Sequence, residues 1–175
     1  MGNEPKWENL YRVLNEYADY WIRTAQEKIQ QNGNIASGDL VSTMGAQREI
    51  SFKNDYISVK VSMLEYWQYV EKGSKPHWPP IDAIKKWIEV KPVIPQVMTL
   101  TRHTKTKGDV QYQVLPTVKQ LAYLISRKIS IEGTPAHPFF EEAQNEAMQH
   151  FEDAISYAIE EDWLEWIEEN VYPLL

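Results

Sequence analysis

Apolar positions recur along this chain with two different periods, and the changes of period mark out its elements. From Pro5 to about Gln31, the residues Trp7, Leu10, Val13, Leu14, Tyr17, Trp21, Ala25 and Ile29 fall at three- and four-residue steps, the spacing of one apolar stripe on a long helix. Asn32-Gly33-Asn34 tolerates the left-handed cap conformation and ends that helix. Ser37-Gly38-Asp39 opens a short turn or helix through Met44. The period then drops to two: Ala46 to Phe52 and Tyr56 to Met63 alternate, with Ile50, Phe52, Ile57, Val59, Val61 and Met63 on one side and Asn54-Asp55 as a hairpin turn.

Leu64 to Lys72 predicts a short helix ending at Gly73. Ser74 to Pro80, with three prolines, must run extended. Ile81, Ile84, Trp87 and Ile88 predict another short helix that Pro92 and Pro95 end. Val97-Met98-Thr99-Leu100-Thr101 and Val110-Gln111-Tyr112-Gln113-Val114 are polar, β-prone runs flanking a basic tip. They predict a hairpin over 92–115 that projects, because it offers little apolar area to bury. Val118, Leu121, Ala122, Ile125 and Ile129 predict a helix with Pro116 at its start. Phe139, Phe140, Ala143, Ala147, Phe151, Ile155 and Ile159 predict a last long helix. The fold class expected is α+β: an antiparallel sheet of three to five strands packed by the long N- and C-terminal helices. One domain over 1–162 is expected, followed by an aromatic and acidic extension over 163–175.

Composition adds weight to the core and to surfaces. Hydrophobic residues make up 43% and aromatic residues 12%, with seven Trp and ten Tyr, more than a disordered chain carries. Such an excess fits an aromatic-rich core, and it also fits interfaces, where Trp and Tyr combine contact area with a polar handle. Cysteine is absent, which removes disulfides, thiolate metal sites and a cysteine nucleophile, and suits synthesis in a reducing cytoplasm. The first residues lack a signal-peptide pattern, and no run is apolar enough for a membrane span.

Charge is distributed unevenly. The net charge is -7, yet all 18 Lys and Arg lie at or before Lys128. Glu141 to Leu175 holds eleven carboxylates and no Lys or Arg, leaving +4 for the rest of the chain. An acidic solvated helix face accounts for this; so does head-to-tail assembly in which an acidic face meets a neighbour's basic one.

Residues for chemistry are missing. His77, His103, His137 and His150 are scattered, with no pair four residues apart, so a metal site has no pattern behind it. No Walker loop, GxGxxG or GxSxG occurs. The adjacent carboxylates Glu141-Glu142 and Glu160-Glu161-Asp162 do not face one another on a helix and form no acid/base dyad. No catalytic residue, metal or cofactor is therefore expected.

Three segments in order carry a pattern: Tyr66-Trp67-Gln68-Tyr69-Val70-Glu71-Lys72-Gly73, then Ile81 to Ile88, then Gly133-Thr134-Pro135-Ala136-His137-Pro138-Phe139-Phe140-Glu141-Glu142-Ala143. This resembles the tail-completion family of long-tailed bacteriophages, with its Tyr-x-x-Tyr-Val-Glu-x-Gly block followed by a Pro-Phe-x-x-x-Ala block. The similarity runs from about Ile35 to Ala147, and the segment from Leu121 to Ile129 looks like the helix that precedes the final block in prophage versions. Family members commonly end soon after the Pro-Phe helix, whereas this chain continues through Trp163, Trp166 and Tyr172.

The resemblance implies a virion protein of the neck or tail, made in the host cytoplasm. It implies a ring of copies docked to connector or portal-adaptor and tail proteins around the DNA channel, with non-specific DNA contact there. Tyr66, Trp67 and Tyr69 cannot all face one side of a short helix, so one or more is expected at a partner. With Trp78, Trp163, Trp166 and Tyr172 they are the candidate interface residues. Arg102, Lys105 and Lys107 form a basic loop for a partner or DNA. With Lys85, Lys86 and Lys91 they support the alternative of a DNA-binding module.

Overall fold

The computed structural model describes residues 5–32, 38–53, 56–91, 93, 96–104 and 108–171. The expected turn residues Gly33, Asn34, Asn54 and Asp55, the prolines Pro92 and Pro95, and Lys105, Lys107 and Tyr172 lie outside them. The protein is α+β, with six helices among the described residues and antiparallel strand pairs. It forms two compact units: one from Met1–Glu71 with His137–Leu175, the other Lys72–Ala136.

The first unit is built on α1 (Glu8–Gln31) and α6 (Phe140–Asn170). They run antiparallel, since Asn9 bonds Asp162 at one end and Lys28 faces Glu142 at the other. The helical stripe of α1 is buried as its spacing requires: Leu10, Val13, Leu14, Tyr17, Trp21, Ala25 and Ile29 all face inward. Opposite them α6 presents Ala143, Ala147 and Ala158, side chains small enough to let the bulky α1 residues approach its backbone. Each fully buried Leu or Ile here contributes about 1.5–3 kcal/mol.

The short helix α2 (Asp39–Thr43) adds Leu40 to the same core. The pair β1 (Arg48–Lys53) and β2 (Tyr56–Val61) lays Ile50, Phe52 and Val59 against the α1–α6 layer. α3 (Trp67–Lys72) closes the unit.

The second unit holds α4 (Ile81–Val90), the antiparallel pair β3 (Met98–Thr104) and β4 (Gly108–Val114), and α5 (Val118–Glu132). Its interior is small: Ile88 of α4 and Ala122 and Ser126 of α5 are buried. α5 starts on a capping box in which Thr117 Oγ1 accepts from the Gln120 N–H (3.3 Å) and Gln120 Oε1 accepts from the Thr117 N–H (2.9 Å). Pro116 therefore sits one residue outside the cap, and Thr117, not the proline, begins the helix.

One sheet of three to five strands was expected; two separate two-stranded pairs occur, and no ladder joins them among the described residues. The reason lies in β3 and β4, whose Thr99, Thr101, Gln111 and Gln113 are exposed. With that face polar, the pair has no second surface to add to a packed sheet, and its Met98 and Val114 already line a groove with α5 residues of the same unit.

Candidate functional site

The two sequence blocks with the phage-like pattern meet in space. Glu71, 6% exposed, directs its carboxylate at the start of α6, where Oε2 accepts from the Phe140 N–H (2.9 Å) and Oε1 from the Glu141 N–H (3.0 Å). Phe139, the residue before the helix, offers no side-chain cap, so Glu71 supplies one from 69 residues away in sequence. Beside it the His137 N–H donates to the Val70 carbonyl (3.0 Å).

In the second unit Ser74 and Thr134 exchange two backbone hydrogen bonds (3.1 Å each). Gly73 and Gly133 flank this bridge at φ 67° and 76°, and a Cβ on either would overlap a backbone oxygen, of Thr134 or Ser74 respectively. These motif residues are thus spoken for by local structure: the Glu caps, the glycines permit a close backbone approach.

A second long-range cap orders the other end of the first unit. Asp162, 3% exposed, accepts from the Asn9 N–H (3.0 Å), the Asn9 side-chain amide (3.1 Å) and the Leu10 N–H (2.9 Å). Trp7, the N-cap residue of α1, is left-handed at φ 58° and bonds nothing with its side chain there. Its ring stacks on Phe52 (6.5 Å) and meets Trp163 edge-on (6.0 Å). Lys6 pairs with Glu169 (3.0 Å); that hydrogen bond, then the Glu169 charge, raise the Lys6 pKa.

The candidate interface residues divide by environment. Trp67 points inward onto Phe140 (5.2 Å between rings) and belongs to the core, while Tyr69 is 69% exposed and Tyr66 remains largely exposed. Burial, followed by the charge of Asp39, pushes the Tyr66 phenol above its ordinary pKa, against a hydrogen bond with the Leu40 backbone. Trp78, in the second unit, is exposed and rests edge-on against Tyr123 (5.8 Å).

Trp163 and Trp166 both lie on α6, which runs unbroken to Asn170. Trp166 is mostly covered, its indole N–H buried without a partner, and Trp163 packs on Trp7 and Trp166. The helix continues because nothing between Asp162 and Asn170 breaks it, there being no Gly or Pro. Trp166 lies about 40 Å along α6 from the α3 end of the unit, so these aromatics do not form one site.

Of the basic loop, Arg102 lies in β3 opposite Val110. Lys85 on α4 pairs with Asp82 (2.6 Å). The Asp82 pKa is lowered by that hydrogen bond, then by the Lys85 charge, with Lys86 and Lys119 adding to it. Asp82 adjoins Ile81, which with Met98, Val114, Pro116, Tyr123 and Leu124 lines an apolar groove of about 380 Å³. Lys119 stands among the groove's lining residues.

No local sequence signal marks this groove, because its walls come from three stretches that only the fold assembles. The charge pattern also sharpens when sorted by unit. The first unit has seven Lys and Arg against 21 Asp and Glu, net -14; the second has eleven against four, net +7.

Among the described residues no three of His, Asp and Glu gather where they could hold a metal ion, and no helix is long and apolar enough to cross a membrane. Comparison with known protein families, curated proteins and solved structures finds no match to this chain.

Proposed function

We propose that this chain is a structural protein of a tailed-phage virion, placed at the neck or the head-proximal end of the tail. There it acts in head–tail joining or tail completion by docking to further copies of itself and to neighbouring ring proteins, without catalysing a reaction. The observation that carries the docking part is the partition of charge: one chain holds a unit of net -14 and a unit of net +7. Oppositely charged units suit heterologous, head-to-tail contact, which closes into a ring where the rotation between copies permits. The placement in the virion rests on the resemblance of the Tyr66–Gly73 and Gly133–Ala143 blocks.

Mass spectrometry and immunogold electron microscopy of purified particles test it, together with a phage in which the gene is interrupted. The expected result is the chain in wild-type particles and unjoined heads and tails from the interrupted phage. Joined, infectious particles lacking the chain would overturn the proposal.

A second reading has an observation of its own. The net +7 of residues 72–136 is the electrostatic footprint of a nucleic-acid contact using Arg102, Lys105 and Lys107 with Lys85, Lys86 and Lys91. A salt titration of duplex DNA binding separates the two: tight binding that falls steeply with salt, and that Gln at the three loop positions abolishes, favours the DNA module.

A further inference from the structure

α6 carries apolar residues on two faces. One face covers α1 and holds the alanines. On the other, Tyr157, Leu164 and Val171 follow one another at seven-residue steps and are 70%, 52% and 42% exposed. Residues seven apart on a helix drift by only about 20°, so the three form one ridge. Asp153, Glu161 and Glu168 fall within half a turn of the same line and are all exposed. An exposed apolar ridge edged by carboxylates is the anatomy of a contact surface with a defined partner sign.

The groove of the second unit has the opposite character. Its lining is almost wholly apolar, and Lys86 and Lys119, both exposed, stand near Asp82, one residue from Ile81 at its wall. Around it Met98, Leu115, Val118 and Tyr123 are exposed. An apolar slot with cations at its edge complements an apolar ridge with carboxylates at its edge.

We infer that the occupant of the groove is a second copy of this chain: the Tyr157–Leu164–Val171 ridge of one copy seats in the Ile81–Met98–Leu124 groove of the next, with Glu161 and Glu168 facing Lys86 and Lys119. This deepens the docking reading, on which it rests, by naming the two surfaces that meet. The first contact uses the ridge of one copy and the groove of the other, leaving the groove of the first and the ridge of the second open, so the association continues head to tail.

Two charge-reversed proteins test it by analytical ultracentrifugation. The groove variant carries Lys86→Glu and Lys119→Glu; the ridge variant carries Glu161→Lys and Glu168→Lys. All four positions are exposed, and circular dichroism and thermal unfolding confirm that each variant folds. Each variant alone is expected to self-associate at least tenfold more weakly than the wild type. An equimolar mixture is expected to regain association, since an acidic groove then meets a basic ridge. Overturning results are a wild type that stays monomeric, variants that associate like the wild type, or a mixture no better than its parts. If instead the groove variant loses only DNA binding, the cations serve a nucleic acid and the inference fails.

The outcome is separable from that for the virion. Particles containing the chain whose incorporation is indifferent to both variants would sink this interface and leave the neck placement standing. Complementation in the mixture with no chain in particles would do the reverse.

Discussion

Replacing Glu71 tests the most specific structural claim, that one buried carboxylate holds the start of the longest helix. Its two oxygens each take one backbone N–H, at 2.9 and 3.0 Å, from a position only 6% exposed. Hydrogen bonds to a charged group contribute about 1.5–3 kcal/mol each, and a carboxylate at a helix N-terminus gains a further 0.3–1 kcal/mol or so from the dipole. Against this stands the desolvation of the carboxylate, which any substitution relieves.

Glu71→Gln keeps the shape and one acceptor but turns an amide N–H₂ toward the second N–H; a loss of about 2 kcal/mol is expected. Glu71→Ala strands both donors and leaves space behind, for about 3–4 kcal/mol. The control is Glu142→Gln, whose carboxylate is exposed and 3.7 Å from Lys28; it should change stability by less than about 0.5 kcal/mol. Urea unfolding followed by tryptophan fluorescence reads these differences, about 2 kcal/mol moving the midpoint by roughly 1 M at a slope near 2 kcal/mol/M. If both Glu71 variants fall within the range of the control, the cap contributes nothing and the reasoning is wrong.

Two further outcomes follow from local geometry and burial. Gly133→Ala, at φ 76° and ψ -160° and with its new Cβ against the Ser74 carbonyl, should cost about 2 kcal/mol or more; amide exchange at Ser74 and Thr134 should speed up, and unchanged protection there contradicts the bridge. Tyr17 and Tyr66 both have phenols raised above the ordinary 10.0, Tyr17 by burial and Tyr66 by burial first. A raised folded pKa means stability that is whole below pH 10 and is lost as pH climbs through the folded value, so the urea midpoint should fall above pH 10 and fall less in Tyr17→Phe.

What was legible in the sequence was local. The period-3.6 stripe of α1 gave a helix within a few residues of its observed bounds, and the alternation at Ile50–Phe52 and Ile57–Val61 gave β1 and β2, because both signals rest on which face must be buried. The fate of Tyr66, Trp67 and Tyr69 was half legible. Helical spacing says that the three diverge, but only the position of Phe140 decides that Trp67 goes in and Tyr69 stays out.

The caps at Glu71 and Asp162 were illegible for a different reason. Each reaches a helix start 69 or more residues away, and no periodicity links such positions. The extension expected over 163–175 was drawn from where members of the resembled family end; in the structure uninterrupted helix formers carry α6 through Trp163 and Trp166 to Asn170. Charge was visible as a gradient of +4 against -11. Its partition into -14 and +7 needs the fold, because the acidic unit is made from both ends of the chain.

How the two units' charges and the groove would share the work of the proposed association can be separated by kinetics. At physiological ionic strength charges are screened beyond about 8 Å, so a unit's net charge acts on approaching copies only at close range and mainly orients the encounter. Once ridge and groove are in contact, the burial of Tyr157 and Leu164 is insensitive to modest changes of salt. Association measured by stopped-flow fluorescence of the tryptophans should therefore show an on-rate that falls with added salt and an off-rate that stays nearly constant. The ridge variant Leu164→Ser should do the opposite, raising the off-rate at every salt concentration while leaving the on-rate's salt slope unchanged. An off-rate that rises with salt as steeply as the on-rate falls would mean that ion pairs alone hold the copies together. The apolar groove would then have no part in the contact.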